Sequence, residues 1–204
     1  IRNLKIEHYK GVGTYPKSGK TYVAKYGAVF NKVLGIIENV HINGIDIVSY
    51  DRMGCFAATM DIGSELKNSS VSANQESGYG VNLQYVQPTN VESTICLGGL
   101  VGYTYYTRIT NSYITDLNVT ANYMKGSMGV GGIVGYTSNR IIKSVYAEGD
   151  IETRASNVGG IVGQYVTTSV SIVCIKDVVA KVNISSYTDV IGGIVGLLNI
   201  PMDI

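Results

Sequence analysis

Gly98-Gly99-Leu100-Val101-Gly102 decides the architecture, because the same string returns as Gly131-Gly132-Ile133-Val134-Gly135, Gly159-Gly160-Ile161-Val162-Gly163 and Gly192-Gly193-Ile194-Val195-Gly196. The steps between copies are 33, 28 and 33 residues. Two degenerate copies precede them, Gly27-Ala28-Val29-Phe30-Asn31 and Gly54-Cys55-Phe56-Ala57-Ala58, with small residues in place of the second and third glycines. Self-similarity at such a period is the signature of a repeat fold and outranks any local reading of secondary structure.

A second column runs between the glycine strings: an aliphatic residue, any residue, then Asn, Ser or Asp. Its members are Ile1-Arg2-Asn3, Ile37-Glu38-Asn39, Leu66-Lys67-Asn68, Ile109-Thr110-Asn111, Ile142-Lys143-Ser144 and Ile175-Lys176-Asp177. Composition says what kind of unit repeats. Ile and Val total 48 against 18 for Leu and Ala, and 25 Gly accompany only 3 Pro. Such a chain favours strands with glycine corners over long helices. No segment sustains the 3.6-residue period that ankyrin or tetratricopeptide units require, and a propeller blade needs a longer repeat. The expectation is all-β: one parallel β-solenoid (β-helix) domain over residues 1–204, about six coils deep. At the usual strand spacing it is a rod roughly 30 Å long.

Stacking assigns each column a role. The corner glycines permit positive φ and close approach of the next coil, with Leu or Ile and Val supplying the interior. Asn3, Asn39, Asn68, Asn111, Ser144 and Asp177 form a ladder that bonds neighbouring coils or its own turn. Where the repeat stretches, loops leave the rod, near 9–26 and 74–92. Inserts of this kind gather on one face and carry recognition. The candidate binding surface is therefore Tyr9, Tyr15, Lys17, Lys20 and Tyr22 from the first insert, with Tyr79 and Tyr85 from the second. Tyr26 closes the first insert, and Tyr103, Tyr105, Tyr106 and Tyr113 extend the patch. Exposed tyrosine is a low-entropy contact residue, and the chain has 16 Tyr against 2 Phe.

Chemistry is harder to find. Sixteen basic and fifteen acidic residues leave a net charge of +1, with no excess field to hold a nucleic acid. No apolar run approaches the ~20 residues of a membrane span. His8 and His41 have no second ligand at metal spacing, and Cys55, Cys96 and Cys174 read as buried thiols, with one disulfide and one leftover thiol as the alternative. Glu148, Asp150 and Glu152 alternate, so they share one strand face, where they present as a Ca²⁺ site or an acid-base group. The repeat register brings Lys181 and Asn183 beside the first two and reads the row as a solvated ladder. Gly129 to Gly135 imitates a dinucleotide loop but lacks the following helix. The residues thus imply no catalytic set, no cofactor and no metal.

The Gly-Gly-[Leu/Ile]-Val-Gly strings, with Asn111-Ser112-Tyr113 or its equivalents behind them, resemble the GLUG-type repeat of large bacterial surface proteins. Tyr26-Gly27-Ala28-Val29-Phe30 leading to Ile37-Glu38-Asn39-Val40-His41-Ile42 is similar to the region upstream of the catalytic domain in the M26 family of IgA1-specific zinc metallopeptidases. The resemblance implies a secreted or wall-attached bacterial protein and a non-catalytic module that binds a host protein or glycan, or positions adjacent domains. It also opens the alternative of a substrate-positioning accessory region of an M26-like peptidase. That family's zinc motif is missing from this segment. A third reading, a carbohydrate-active solenoid enzyme, rests on Glu148, Asp150 and Glu152. Ile1 without a leader, and chain ends inside repeat units, make a fragment of a larger protein the expectation.

Overall fold

The computed structural model describes residues 2–7, 26–86, 95–121, 127–138, 141–167, 174–187 and 190–199, with backbone alone at 2–7 and 127–128. Among these residues there are strands and turns and no helix, and every ladder between strands is parallel. Each coil contributes one strand leading into the glycine corner, one leaving it, and a longer return. Sheet 1 stacks the incoming strands Tyr26–Gly27, Arg52–Met53, Ile95–Gly98, Ser127–Gly131, Asn157–Gly159 and Val190–Gly192. Sheet 2 stacks the outgoing strands Phe30–Val33, Ala57–Met60, Val101–Tyr105, Val134–Ser138, Val162–Val166 and Val195–Asn199. Sheet 3 carries the returns, among them His41–Ser49, Val81–Tyr85, Arg108–Ala121, Ile141–Thr153 and Cys174–Ser186. This is the expected β-solenoid. The depth differs slightly from six whole coils: about four have a neighbour on both faces, and the outer rungs are partial.

The glycine strings lie directly on one another, with Gly98 opposite Gly131, Gly131 opposite Gly159 and Gly159 opposite Gly192. Close approach explains them. A Cβ on Gly99 would overlap the Gly132 carbonyl oxygen, one on Gly132 that of Gly160, and one on Gly160 that of Gly193. Positive φ plays no part, since none of these twelve glycines adopts it. Left-handed backbone falls instead on the second column, at Asn39 (φ 56°), Asn68 (50°), Asn111 (49°), Ser144 (53°) and Asp177 (54°). Asn and Asp tolerate this region because their short polar side chains bond locally. Asn111 also donates from Nδ2 to Asn68 Oδ1 at 3.2 Å, so turn and ladder coexist.

Three details correct the repeat as read from sequence. Asn3 falls between Arg2 and Leu4, which pair with Asn43 and Ile45, so it lies beside Gly44 and outside the Asn39 column. Gly27 pairs with Met53, and Phe30 with Ala57, so the first corner is one residue shorter than the next and Gly27 is not its corner glycine. A Cβ there would strike Ile47 Cγ2, which is the packing reason for glycine. The stretch 74–92 is not one insert. Ser70–Ser72 pairs with His41–Ser49 and with Arg108–Ala121; the chain then turns out through an Asn74–Tyr79 bridge and returns as Val81–Tyr85, in register with the same two strands. Among the described residues the excursion is 73–80; residues 87–92 of the expected insert lie outside them. The 9–26 insert lies outside the described residues except Tyr26.

Like residues fill the interior in columns. Ile37, Leu66, Ile109, Ile142 and Ile175 follow one another in register. The middle three are fully buried, which stabilises by about 2 kcal/mol each. No described residue covers the Cys174–Ser186 and Val195–Asn199 rung on its outer side, leaving Val179 48%, Ile194 37% and Leu198 53% exposed. Cys55 and Cys96 are buried thiols, with burial raising both pKa values far beyond the ordinary thiol range. Cys174 sits half-buried on the end rung, departing from the expected buried set. One thiol per chain is therefore expected to react with an aromatic disulfide reagent in the native state and three in denaturant; fast native reaction of Cys55 would contradict this packing.

Candidate functional site

A groove of about 410 Å³ is lined by Tyr26 and Arg52 of sheet 1, by Asn31, Lys32, Thr59, Tyr103 and Tyr105 of sheet 2, and by Asp61 just beyond it. Register assembles it. Tyr26 pairs with Arg52, and Lys32 and Tyr103 both pair with Thr59, so residues distant in sequence become adjacent rungs. Seven residues separate Arg52 from Thr59, which carries the chain round the corner so that Arg52 Nη1 donates to Thr59 Oγ1 at 3.1 Å. The same link recurs where Asn157 Nδ2 donates to Gln164 Oε1 at 3.2 Å.

Tyr103 closes one end of the groove. Its ring stacks on Tyr136 of the next coil, centroids 5.0 Å apart and planes 1° from parallel. The Arg52 guanidinium lies 4.4 Å from the centre of the Tyr103 ring and 5.8 Å from that of Tyr26. Burial raises the pKa of both Tyr103 and Tyr136, so their hydroxyls stay protonated donors across the physiological range. Tyr105 is 38% exposed and is held edge-on by Tyr106, centroids 4.6 Å apart at 86°. Arg52 Nε lies 4.0 Å from Oδ1 of buried Asp51.

Lys32 Nζ meets Asp61 Oδ2 at 2.8 Å on the rim, and Ile62 N donates to Asp61 Oδ1 at 2.8 Å. The Lys32 bond, then the Ile62 amide, holds the Asp61 pKa below its ordinary 3.8. A depressed carboxylate pKa gives a contribution that is present at neutral pH and lost only as pH falls through the folded-state value. An NMR titration of the Asp61 carboxyl carbon is therefore expected to show a midpoint below 3.8 that rises on Lys32→Ala. An unmoved midpoint would deny the pair any role in solution.

The other described candidates lie away from the groove. Tyr9, Tyr15, Lys17, Lys20 and Tyr22 are outside the described residues. Tyr79 lies over Gly44, where an added Cβ would sit 2.6 Å from Tyr79 Cβ, on sheet 3 and away from the groove. Tyr85 is 6% exposed and belongs to the core, which removes it from the binding surface. The alternation Val81-Asn82-Leu83-Gln84-Tyr85 places it inside. Tyr113, 45% exposed, pairs with Tyr146 on sheet 3.

Glu148, Asp150 and Glu152 do share the outer face of sheet 3. Lys181, Asn183 and Ser185 lie opposite them in the next coil, and Asn183 Nδ2 donates to Asp150 Oδ1 at 2.9 Å. Asn82 continues this polar row, bonding both Asp46 and Asn118. Tyr146 donates its hydroxyl to Glu148, a bond that also raises the tyrosine pKa, and Lys181 sits 5.6 Å from the ring centre. Glu148 and Asp150 are thus engaged in a surface ladder. His41 Nδ1 lies 2.7 Å from Ser70 Oγ on the same face. Among the described residues no group of three or more His, Cys, Asp or Glu is placed to hold a metal ion, and no helix is long and apolar enough to cross a membrane.

Sequence reasoning singled out Tyr26, Tyr103 and Tyr105 but missed Asn31, Lys32, Arg52, Thr59 and Asp61. The available signal was alignment of the two degenerate coils with the strict ones, which puts Lys32, Thr59 and Tyr103 in one column.

In comparisons with known proteins, no curated protein and no solved structure matches the chain. The GLUG motif matches residues 93–120. That segment includes the Ile95–Gly98 strand, the Gly98 corner, the Val101–Tyr105 strand and the left-handed Asn111 turn. The chain is therefore similar, through one coil of its solenoid, to the GLUG motif, and the corners at Gly131, Gly159 and Gly192 repeat that coil's geometry.

Proposed function

We propose that the chain is a non-catalytic β-solenoid module of a secreted or cell-surface bacterial protein, and that it binds a host protein or glycan. The observation that carries this reading is the groove between sheets 1 and 2. It is large enough for a small ligand or a projecting side chain, its walls are pinned by inter-coil hydrogen bonds, and its rim mixes aromatic and polar groups. The extracellular setting is supported by the likeness of the glycine coils to repeats of bacterial surface proteins. Positioning of a neighbouring domain is a compatible second role for a rigid rod. The likeness of the first coil to the region ahead of an M26 peptidase domain supports a narrower reading, in which the groove holds part of a large glycoprotein substrate while the zinc chemistry lies elsewhere in the parent chain.

Biolayer interferometry against immunoglobulin, mucin and a printed glycan array tests the proposal. Wild-type protein is expected to bind at least one of them. The Lys32→Ala/Tyr105→Ala variant, altered only on the rim, is expected to lose tenfold or more in affinity at a melting temperature within about 3 °C of wild type, because an exposed ion pair contributes under about 1 kcal/mol. Folded wild-type protein that binds nothing would leave only the spacer role.

A further inference from the structure

We propose that the groove takes a neutral saccharide, an uncharged hexose unit of a glycan, in preference to an anionic one; this rests on the binding-module reading and narrows it. The argument begins with charge. Two cations line the groove, and each already faces a carboxylate: Lys32 has Asp61 at 2.8 Å, and Arg52 has Asp51 at 4.0 Å. A sulfate, sialic acid or uronic acid carboxylate would have to compete with these partners, so its own desolvation would be poorly offset.

Hydrogen bonding points the same way. The wall places donors beside acceptors: the Lys32 ammonium next to the Asp61 carboxylate, the Arg52 guanidinium next to the Thr59 hydroxyl, and the Asn31 amide, which offers both. Each sugar hydroxyl donates and accepts at once, so neighbouring hydroxyls match such pairs, whereas a purely apolar ligand would strip water from their remaining donor and acceptor positions and replace it with nothing.

The aromatic groups complete the match and divide the labour. Tyr103 has no open face, with Tyr136 on one side and Arg52 on the other, so it offers its edge and its protonated hydroxyl. Tyr105, propped at a right angle by Tyr106, is the ring that a pyranose C–H face would meet, while Tyr26, its ring centre 5.8 Å from the Arg52 guanidinium, lines the groove with its edge and hydroxyl. Because Tyr105 is already held by its neighbour, little side-chain entropy is lost on binding.

The test is a two-dimensional NMR titration of the intact chain with methyl glycosides of galactose, glucose, mannose, N-acetylglucosamine and N-acetylgalactosamine, alongside sialyllactose and methyl glucuronide. At least one neutral glycoside is expected to shift signals of Tyr26, Asn31, Thr59 and Tyr105. Its affinity should change less than twofold between 50 and 500 mM NaCl. Tyr105→Ala, and independently Asn31→Ala, should each weaken it fivefold or more at unchanged melting temperature. Binding confined to the acidic sugars, a strong salt dependence, or shifts outside the groove would overturn the assignment. A groove that binds a deglycosylated protein ligand and no sugar would also overturn it while leaving the binding-module reading intact. Absence of sugar and protein ligands alike would remove both.

Discussion

Gly132→Ala is expected to destabilise the solenoid by about 3 kcal/mol or more, the upper end for overpacking, because the new Cβ meets backbone and not a movable side chain. At Gly132 that atom would overlap the Gly160 carbonyl oxygen and lie 2.9 Å from Ala147 Cβ. Neither neighbour can retreat without breaking the stack: Gly132 N donates to Gly159 O, and Gly160 N to Gly192 O. For a domain of this size the loss corresponds to a fall of about 6–12 °C in melting temperature. Gly193→Ala is the matched control. It occupies the same column on the end rung, where an added Cβ meets nothing within 4 Å, and its φ is not positive. Its melting temperature should stay within about 2 °C of wild type, or rise slightly through reduced entropy of the unfolded chain. Equal losses in both variants would show that the glycines act through local backbone preference, and the stacking explanation would fail.

Arg52→Met is expected to cost about 2–3 kcal/mol, below the usual penalty for breaking a buried pair because Arg52 is only partly withdrawn from water. The Asp51 side chain is 5% exposed and that of Arg52 28%, so removing the cation takes a charge partner from a buried carboxylate. Met keeps much of the packing on Tyr103, so the loss should be mainly electrostatic. Adding Asp51→Asn should therefore recover a large part of it. Urea unfolding of the wild type, both single variants and the double variant gives the coupling directly. A coupling under about 0.5 kcal/mol would mean that Asp51 is held by its other contacts and that Arg52 serves the groove alone.

The fold could be read from sequence where one residue type has one physical reason to be present. Gly98, Gly131, Gly159 and Gly192 repeat because backbone approaches backbone at each of these four corners, and only a residue without Cβ fits. The Asn39 column was legible for a similar reason, since a left-handed turn narrows the choice to Asn, Asp and Ser. Asn3 was misplaced because Ile1-Arg2-Asn3 satisfies the same three-letter pattern without occupying the turn. The first corner was misaligned because its deletion lies in degenerate sequence, where Ala28 and Val29 replace glycine.

The groove was much less visible, since it draws Tyr26, Arg52 and Tyr103 from three rungs and no two of its chemical groups are neighbours in a recognisable motif. Tyr85 shows the opposite case. Turn-like residues around it drew attention to a loop, yet the strict alternation from Val81 to Tyr85 already placed it in the core. The acidic row behaved as stacking dictates: Lys181 and Asn183 stand beside Glu148 and Asp150, and a solvated ladder follows without any appeal to catalysis.

Because every ladder in the three sheets is parallel and runs from coil to coil, the hydrogen bonds point along the rod while the strands run across it. Tension applied along the rod therefore loads one rung at a time and peels it from the next, whereas traction across it must shear a whole row of bonds together. Each coil released lets out about 30 residues, roughly 100 Å of extended chain. A solenoid built this way yields by long, stepwise extension under axial pull and resists traction across its axis.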